Sequence, residues 1–171
     1  GTLFYSTGQM SAANTRLQRE RGIDDSADAH FDDVMRISRN TANPELVRLA
    51  VDQAGPMLDW LMDSGFEPMP DHPVMGLGHE FYSKRRYYWG KNGGRSILEV
   101  LTRELEAARG TGRIDVVLNC RVTSLLQSDA GRVEGVRATQ AGEELVYRSG
   151  QVLLSCGGYA SNPALWDQLD G

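Results

Sequence analysis

The periodicity of this chain changes at Gly112. Before it, apolar residues recur at helical spacing; after it, short β-branched runs alternate with turn residues. A chain that is helical in its first two thirds and then strand-rich is expected to be α/β, or α+β within the stretch seen. Helical spacing predicts a first helix from about Ser11 to Arg21, stopped by Gly22. Ser26 is placed to cap a second through "ADAHFDDVMRIS", with Phe31, Val34 and Met35 on one face. Asn43-Pro44 opens a third stretch carrying Leu46, Leu49, Ala50, Met57, Leu58 and Leu61, ended by Gly65. Gly55-Pro56 is expected to divide that stretch into two helices, since proline lacks the interior donor. Residues 66–94 show no period and are rich in proline, glycine and aromatics; so long a stretch is expected to be functional or mobile. "RSILEVLTRELEAARG" then returns to helical spacing, with Ile97, Leu98, Leu101 and Leu105 on one stripe.

Beyond Gly112, "IDVVLN", "RVTSLLQS", "RVEGVRAT" and "ELVYRS" read as strands, with a hairpin turn at Asp129-Ala130-Gly131. Val152, Leu153 and Leu154 read as a short buried strand, and "SNPALWDQL" as a helix restart. A net charge of −5 argues against a general nucleic-acid binder. No run of about 18 apolar residues occurs, so no membrane span is expected. The chain does not open with a basic start followed by an apolar run, and its two cysteines stand far apart. Reduced thiols and a cytoplasmic location are the expectation. Cys120, Cys156, His30, His72 and His79 form no metal-ligand spacing, so no metal site is expected.

Two glycine-bearing segments are candidates for ligand contact. After the strand, "SCGGY" brings main chain without Cβ atoms to a place where a phosphate or ring edge can approach; a tight turn needing positive φ explains the same residues. Near the start, Ser6, Thr7, Gly8, Ser11, Ala12 and Ala13 lead into an expected helix N-terminus, which suits an anion or polar cofactor edge, or close helix packing. "KRRYYWGKNGGRS" gathers Lys84, Arg85, Arg86, Lys91 and Arg95 around Tyr87, Tyr88 and Trp89. It reads either as a clamp for a carboxylate or phosphate, or as a solvated basic loop with a buried aromatic anchor. The adjacent pairs Asp32-Asp33 and Glu143-Glu144 point to different sides and make no carboxylate dyad. No Ser-His-Asp arrangement is evident, and no catalytic residue is assigned.

Three separated pieces together resemble one family. "YSTGQMSAANT" is similar to the small-residue, Gly-Gly-Met, Asn-Ala-Ala segment of flavoproteins of the fumarate reductase and succinate dehydrogenase type. "NPELVRLAVDQAGPMLDWLMDSGFEP" resembles the stretch that follows in that family, and "LNCRVTSLLQSDAGRVEGVRA" with "VLLSCGGY" resembles its strand, hairpin and closing "LATGGY". Tricarballylate dehydrogenase and ketosteroid dehydrogenases are relatives within it.

The resemblance implies an FAD-dependent oxidoreductase that moves a hydride between flavin N5 and a C–C bond beside a carboxylate or ketone. It places Ser6, Thr7, Gly8 and Gln9 by the flavin, the backbone of Val122 against adenine, and Ser155, Cys156, Gly157 and Gly158 along the dinucleotide. Gln9 stands where many members have a second glycine, and "SCGG" replaces "ATGG". The family's GxGxxG lies ahead of the segment seen here and its catalytic arginine after it, so an internal fragment, inactive alone, is expected: a partial Rossmann-like FAD domain with an antiparallel excursion, plus helices of a capping domain. On this reading residues 1–65 form the helical part of the FAD domain and the cap junction, 66–94 a loop or cap segment, and 95–171 the helix, excursion and closing strand of the FAD-binding domain. Its partners would be a small carboxylate or ketone and the parent's other segments, or a second copy. A stand-alone ligand-binding or interaction domain, and a 3-ketosteroid dehydrogenase type, are the alternatives.

Overall fold

The computed structural model describes residues 1–76, 81–158 and 162–169. Leu77–Glu80, inside the aperiodic stretch, and Tyr159–Ser161, between the glycine pair and the last helix, lie outside the described residues, as does His79. The chain divides into two compact units, Gly1–Ile114 and Asp115–Gly171.

In the first unit, helix α1 (Thr2–Tyr5) leads through an extended segment into strand β1 (Met10–Ser11) and helix α2 (Arg16–Glu20). The expected helix from Ser11 therefore begins five residues later. Thr15 decides the start: its hydroxyl accepts from Gln18 N–H while the Gln18 amide accepts from Thr15 N–H, a reciprocal capping box. Ahead of it, Ala12 N–H donates to Arg86 O, which holds that stretch extended. Helix α3 (Ala27–Ile37) has the expected Ser26 cap. Its deepest residues, however, are His30 and Asp33 rather than the apolar positions.

Helix α4 (Pro44–Asp63) runs unbroken through Pro56, with Asn43 accepting from the N–H groups of Glu45 and Leu46. The expected division at Gly55-Pro56 does not occur. Val51, Leu58 and Leu61 are buried on both sides of the proline, and this shared apolar face outweighs one missing hydrogen bond, while the proline ring itself is exposed. Gly55 has a separate reason to be there: a Cβ would lie 2.5 Å from Ala13 O.

The aperiodic stretch is pinned by strand β2 (Tyr87–Tyr88), which pairs antiparallel with β1 as Met10↔Tyr88 and Ser11↔Tyr87. Single bridges, Pro68↔Gly90 and Val74↔Tyr87, fasten it further. Helix α5 (Gly94–Gly110) follows. It buries Ile97 and Val100, whereas Leu101 and Leu105 of the expected stripe stay about 40% exposed. The core comprises Ala12, Leu58, Leu61, Phe66, Tyr88, Ile97 and Val100, so it joins the β1 region, α4, β2 and α5.

The second unit contains a three-stranded antiparallel sheet, β3 (Arg121–Gln127), β4 (Val133–Gln140) and β5 (Glu143–Arg148), in that order, then helix α6 (Pro163–Leu169). The first hairpin turns at the expected place, with Gly131 at φ +77 and Ser128 N–H donating to Arg132 O. The second turns on Ala141 and Gly142, both at positive φ, as a two-residue hairpin loop demands. Two expected strands are not formed. Residues 114–119 and 151–155 carry no strand pairing, and Leu118 and Leu153 are 71% and 90% exposed. An apolar run becomes a strand only where another strand takes up its ladder, and β3–β4–β5 leaves these runs outside its pairing.

Candidate functional site

Ser6, Thr7, Gly8 and Gln9 form the extended link between α1 and β1. Ser6 fixes its path: the hydroxyl donates to Leu3 O at 2.9 Å and accepts from Gly8 N–H at 3.2 Å, and Ser6 O accepts from Gly94 N–H at 3.0 Å. Gly8 is buried at φ +65, and a Cβ there would lie 2.5 Å from Gly94 N and 2.6 Å from Gly93 C. The fit is mutual, because a Cβ on Gly93 would lie 3.0 Å from Ser6 O and one on Gly94 only 1.9 Å from Leu3 O. Three glycines thus allow two main chains to cross in contact. Gly93 and Gly94 are not among the expected site residues, although a Gly-Gly step just before a helical period marks them in "KNGGRS". Thr7 and Gln9, on either side of the crossing, are exposed.

The second unit holds the other candidates. Ser155, Cys156, Gly157 and Gly158 are consecutive and exposed. Gly157 adopts φ +85, and a Cβ on either glycine would meet nothing within 4 Å. Here the missing side chains leave open main chain, the opposite of the crossing at Gly8. Val122 sits on β3 opposite Ala138, 53% exposed.

One charged cluster of the first unit is buried around Arg86. Arg86 is fully buried and donates through Nε and Nη2 to the two oxygens of Asp25 at 2.8 and 2.7 Å, and through Nη1 to Asp33 Oδ2. Asp33 also accepts from Ser83 N–H, Ser83 Oγ and Arg36. Gln18 spans the cluster, donating to Asp25 and to Arg85 O. Burial pushes the Asp33 carboxyl up, but the donors from Ser83, Arg86 and Arg36 outweigh it and hold it well below the usual carboxylate range. Burial would lower Arg86, yet its hydrogen bonds and attraction to Asp25 and Asp33 raise it. His30 lies close by, with Nε2 2.9 Å from Ser11 Oγ and Nδ1 unpartnered among the described residues. Burial and then the Arg86 charge bring it down to about 4, against the opposing pull of Asp25 and Asp33.

This network takes Arg86 out of the clamp reading of the basic-aromatic loop, since each of its three nitrogens already donates to Asp25 or Asp33. Tyr87 and Tyr88 are buried, with Tyr88 Oη 2.7 Å from Thr15 Oγ1. Arg95 lies over the Phe4 ring at 4.2 Å, and Lys84, Arg85 and Lys91 are exposed. Asp32 and Asp33 point apart as expected, one exposed and one buried. The pairing of Arg86 with residues about sixty positions earlier leaves no local trace in the sequence.

Compared with known families, residues 1–170 match the FAD binding domain. The chain belongs to that family. FAD is its cofactor. Along 96% of its length this FAD-binding chain is 30% identical to the NADH:fumarate oxidoreductase of Klebsiella pneumoniae (strain 342), and it spans 17% of that protein. Among solved structures it is similar to the open conformation of a flavocytochrome c3 fumarate reductase, with a TM-score of 0.79, 26% identity, and coverage of 95% of this chain and 28% of that one. A 3-ketosteroid-Δ4-(5α)-dehydrogenase from Rhodococcus jostii RHA1 shares the fold at TM-score 0.79 and 22% identity, over 98% of this chain and 40% of that one. The chain therefore spans less than half the length of each of these relatives. Its mixture of helices and antiparallel strands is that of part of the flavoprotein fold. Among the described residues no helix is long and apolar enough to cross a membrane.

Proposed function

We propose that this FAD-binding chain serves an oxidoreductase that transfers hydride between flavin and a C–C bond beside a carboxylate or ketone, in the manner its similarity to fumarate reductases indicates. The observation that carries the reading is the main chain left open at Gly157 and Gly158, in a chain that matches the family from end to end. Open main chain fits a flat, phosphate-bearing cofactor, whose groups can accept from backbone N–H without meeting a Cβ. Ser155, Cys156, Gly157 and Gly158 would hold the dinucleotide portion, and the β3 backbone at Val122 the adenine. Ser6, Thr7, Gly8 and Gln9 would line the flavin edge.

Gly8 serves differently from Gly157. Its missing side chain is taken up by Gly93 and Gly94, so it positions the segment, and any flavin contact falls to Thr7, Gln9 and their backbone. Bound FAD supplies the hydride-carrying centre; the residues of this chain bind and orient it. Region 1–65 would contribute the helical part of the FAD domain and the cap junction, 66–94 a loop or cap segment, and 95–171 the rest of the FAD domain. The protein acts in the cytoplasm on this reading, on small carboxylates rather than flat ketones.

The test uses Gly158→Val, which introduces bulk where the protein itself offers no clash. In the intact parent enzyme this variant should be purified without flavin and Lys84→Ala with it, while both, once stripped of flavin, melt as the flavin-stripped wild type does. Equal flavin content in the two would refute the placement. In the intact parent enzyme fumarate should reoxidise the photoreduced flavin faster than an α,β-unsaturated 3-ketosteroid does, each accepting the hydride at its C=C; the reverse order would favour the ketosteroid type.

A further inference from the structure

We infer that the buried Arg86–Asp25–Asp33 cluster is a positioning device that sets the backbone of Ser6–Gln9, the segment assigned to the flavin edge; this rests on that assignment. The path is short and continuous. Arg86 immediately precedes β2, and Arg86 O accepts from Ala12 N–H at 3.0 Å. β2 then pairs with β1 directly after Gln9, as Met10↔Tyr88 and Ser11↔Tyr87. Six residues past Tyr88, Gly94 N–H returns to Ser6 O. The strap from Arg86 to Gly94 is therefore fastened to both ends of the 6–11 segment, and the fully buried charge of Arg86 fixes it to α3 and to the turn before α3.

The chemistry of the cluster favours positioning over stabilisation. Arg86, Arg36, Asp25 and Asp33 sum to zero charge, with Asp25 and Arg86 side chains 0% exposed. Removing such groups from water costs about as much as their attraction returns, so a well-packed apolar cluster would hold the fold equally well. What an apolar cluster lacks is direction. The guanidinium fork engages Asp25 with two donors and Asp33 with a third, so it fixes the plane and rotation of the strap rather than only its burial. Thr15 with Tyr88, and Gln18 with Arg85 O, add uncharged bonds, and Ser83 adds a bond to the Asp33 carboxylate, all made at that same register.

The experiment is FAD titration of the flavin-stripped intact parent protein with Arg86→Lys, which keeps the charge and loses the fork. Val51→Ala, a buried change on α4 outside the strap, serves as the stability control. Arg86→Lys should raise the Kd for FAD by about tenfold and alter the visible band of the bound flavin, the scale of one lost charge-assisted bond. Val51→Ala should lower the melting temperature and leave Kd and spectrum unchanged. An unchanged Kd and spectrum in Arg86→Lys, or an equal change in Val51→Ala, would overturn the inference. Should Arg86→Lys not fold, Ser83→Ala must show the same spectral change in smaller measure, and its absence overturns the inference equally. A wild-type protein that takes up no FAD would instead overturn the assignment on which the inference stands.

Discussion

Replacing Gly8 by alanine isolates the backbone crossing beside the proposed flavin edge. Two penalties combine. The φ of +65 is unfavourable for any residue with a Cβ, by about 1–2 kcal/mol. The new methyl would also sit 2.5–2.7 Å from three main-chain atoms of Gly93 and Gly94, which cannot rotate away as a side chain would. Forced overpacking of this kind costs about 1–3 kcal/mol. Gly22 supplies the control, because it has the same φ of +65 and an added Cβ there would meet nothing within 4 Å. Gly22→Ala should therefore show the conformational penalty alone, and Gly8→Ala should exceed it by about 1–3 kcal/mol. Urea denaturation followed by tryptophan fluorescence measures both, since Trp60 and Trp89 lie in this unit. Equal losses for the two variants would refute the crossing as a close contact.

Two further outcomes concern a buried histidine and a hairpin turn. His30 titrates at about 4 in the folded protein and near 6.5 when unfolded, so the unfolded chain binds the extra proton. Stability should fall as pH drops from about 6.5 to 4, by roughly 3 kcal/mol in all, and denaturation at successive pH values should show a flatter dependence in His30→Asn. Asp33, held low, adds its own loss only at more acid pH, below the usual carboxylate range. In the second unit, Ala141 occupies φ +51 beside Gly142, and Ala141→Asn should raise the stability of the hairpin by about 0.5–1 kcal/mol, read from amide exchange across β4 and β5.

What the sequence makes legible is local. Ser26, Asn43, Gly22 and the Asp129–Gly131 turn act through neighbours a few residues away, and each lies where its chemistry places it. Features that depend on distant partners are not legible. Pro56 marks a helix break by every local criterion, and only the packing of Val51, Leu58 and Leu61 keeps the helix continuous. Leu153 and Leu154 read as buried strand from hydrophobicity alone, although a strand is a relation between two segments. Arg86 reads as a surface cation because charge is rarely buried, and nothing near it names Asp25 or Asp33 as partners.

The glycines show why the same letter carries different instructions. Gly8 and the Gly157–Gly158 pair all answer to one family's pattern, yet a Cβ meets protein main chain at the first and open space at the second. If both existed only to admit a cofactor, both would be open. The crossing at Gly8 instead spares a side chain so that Ser6–Gln9 can be gripped by Gly93 and Gly94. A segment gripped in this way presents Thr7 and Gln9 outward with little freedom, which is what orientation of a ring requires. On that view Gln9, the residue at which the sequence departs from the Gly-Gly of the pattern it resembles, does not obstruct the proposed flavin edge. Its exposed side-chain amide adds a donor and an acceptor for a ring edge beyond those of the main chain, which is all that a glycine offers.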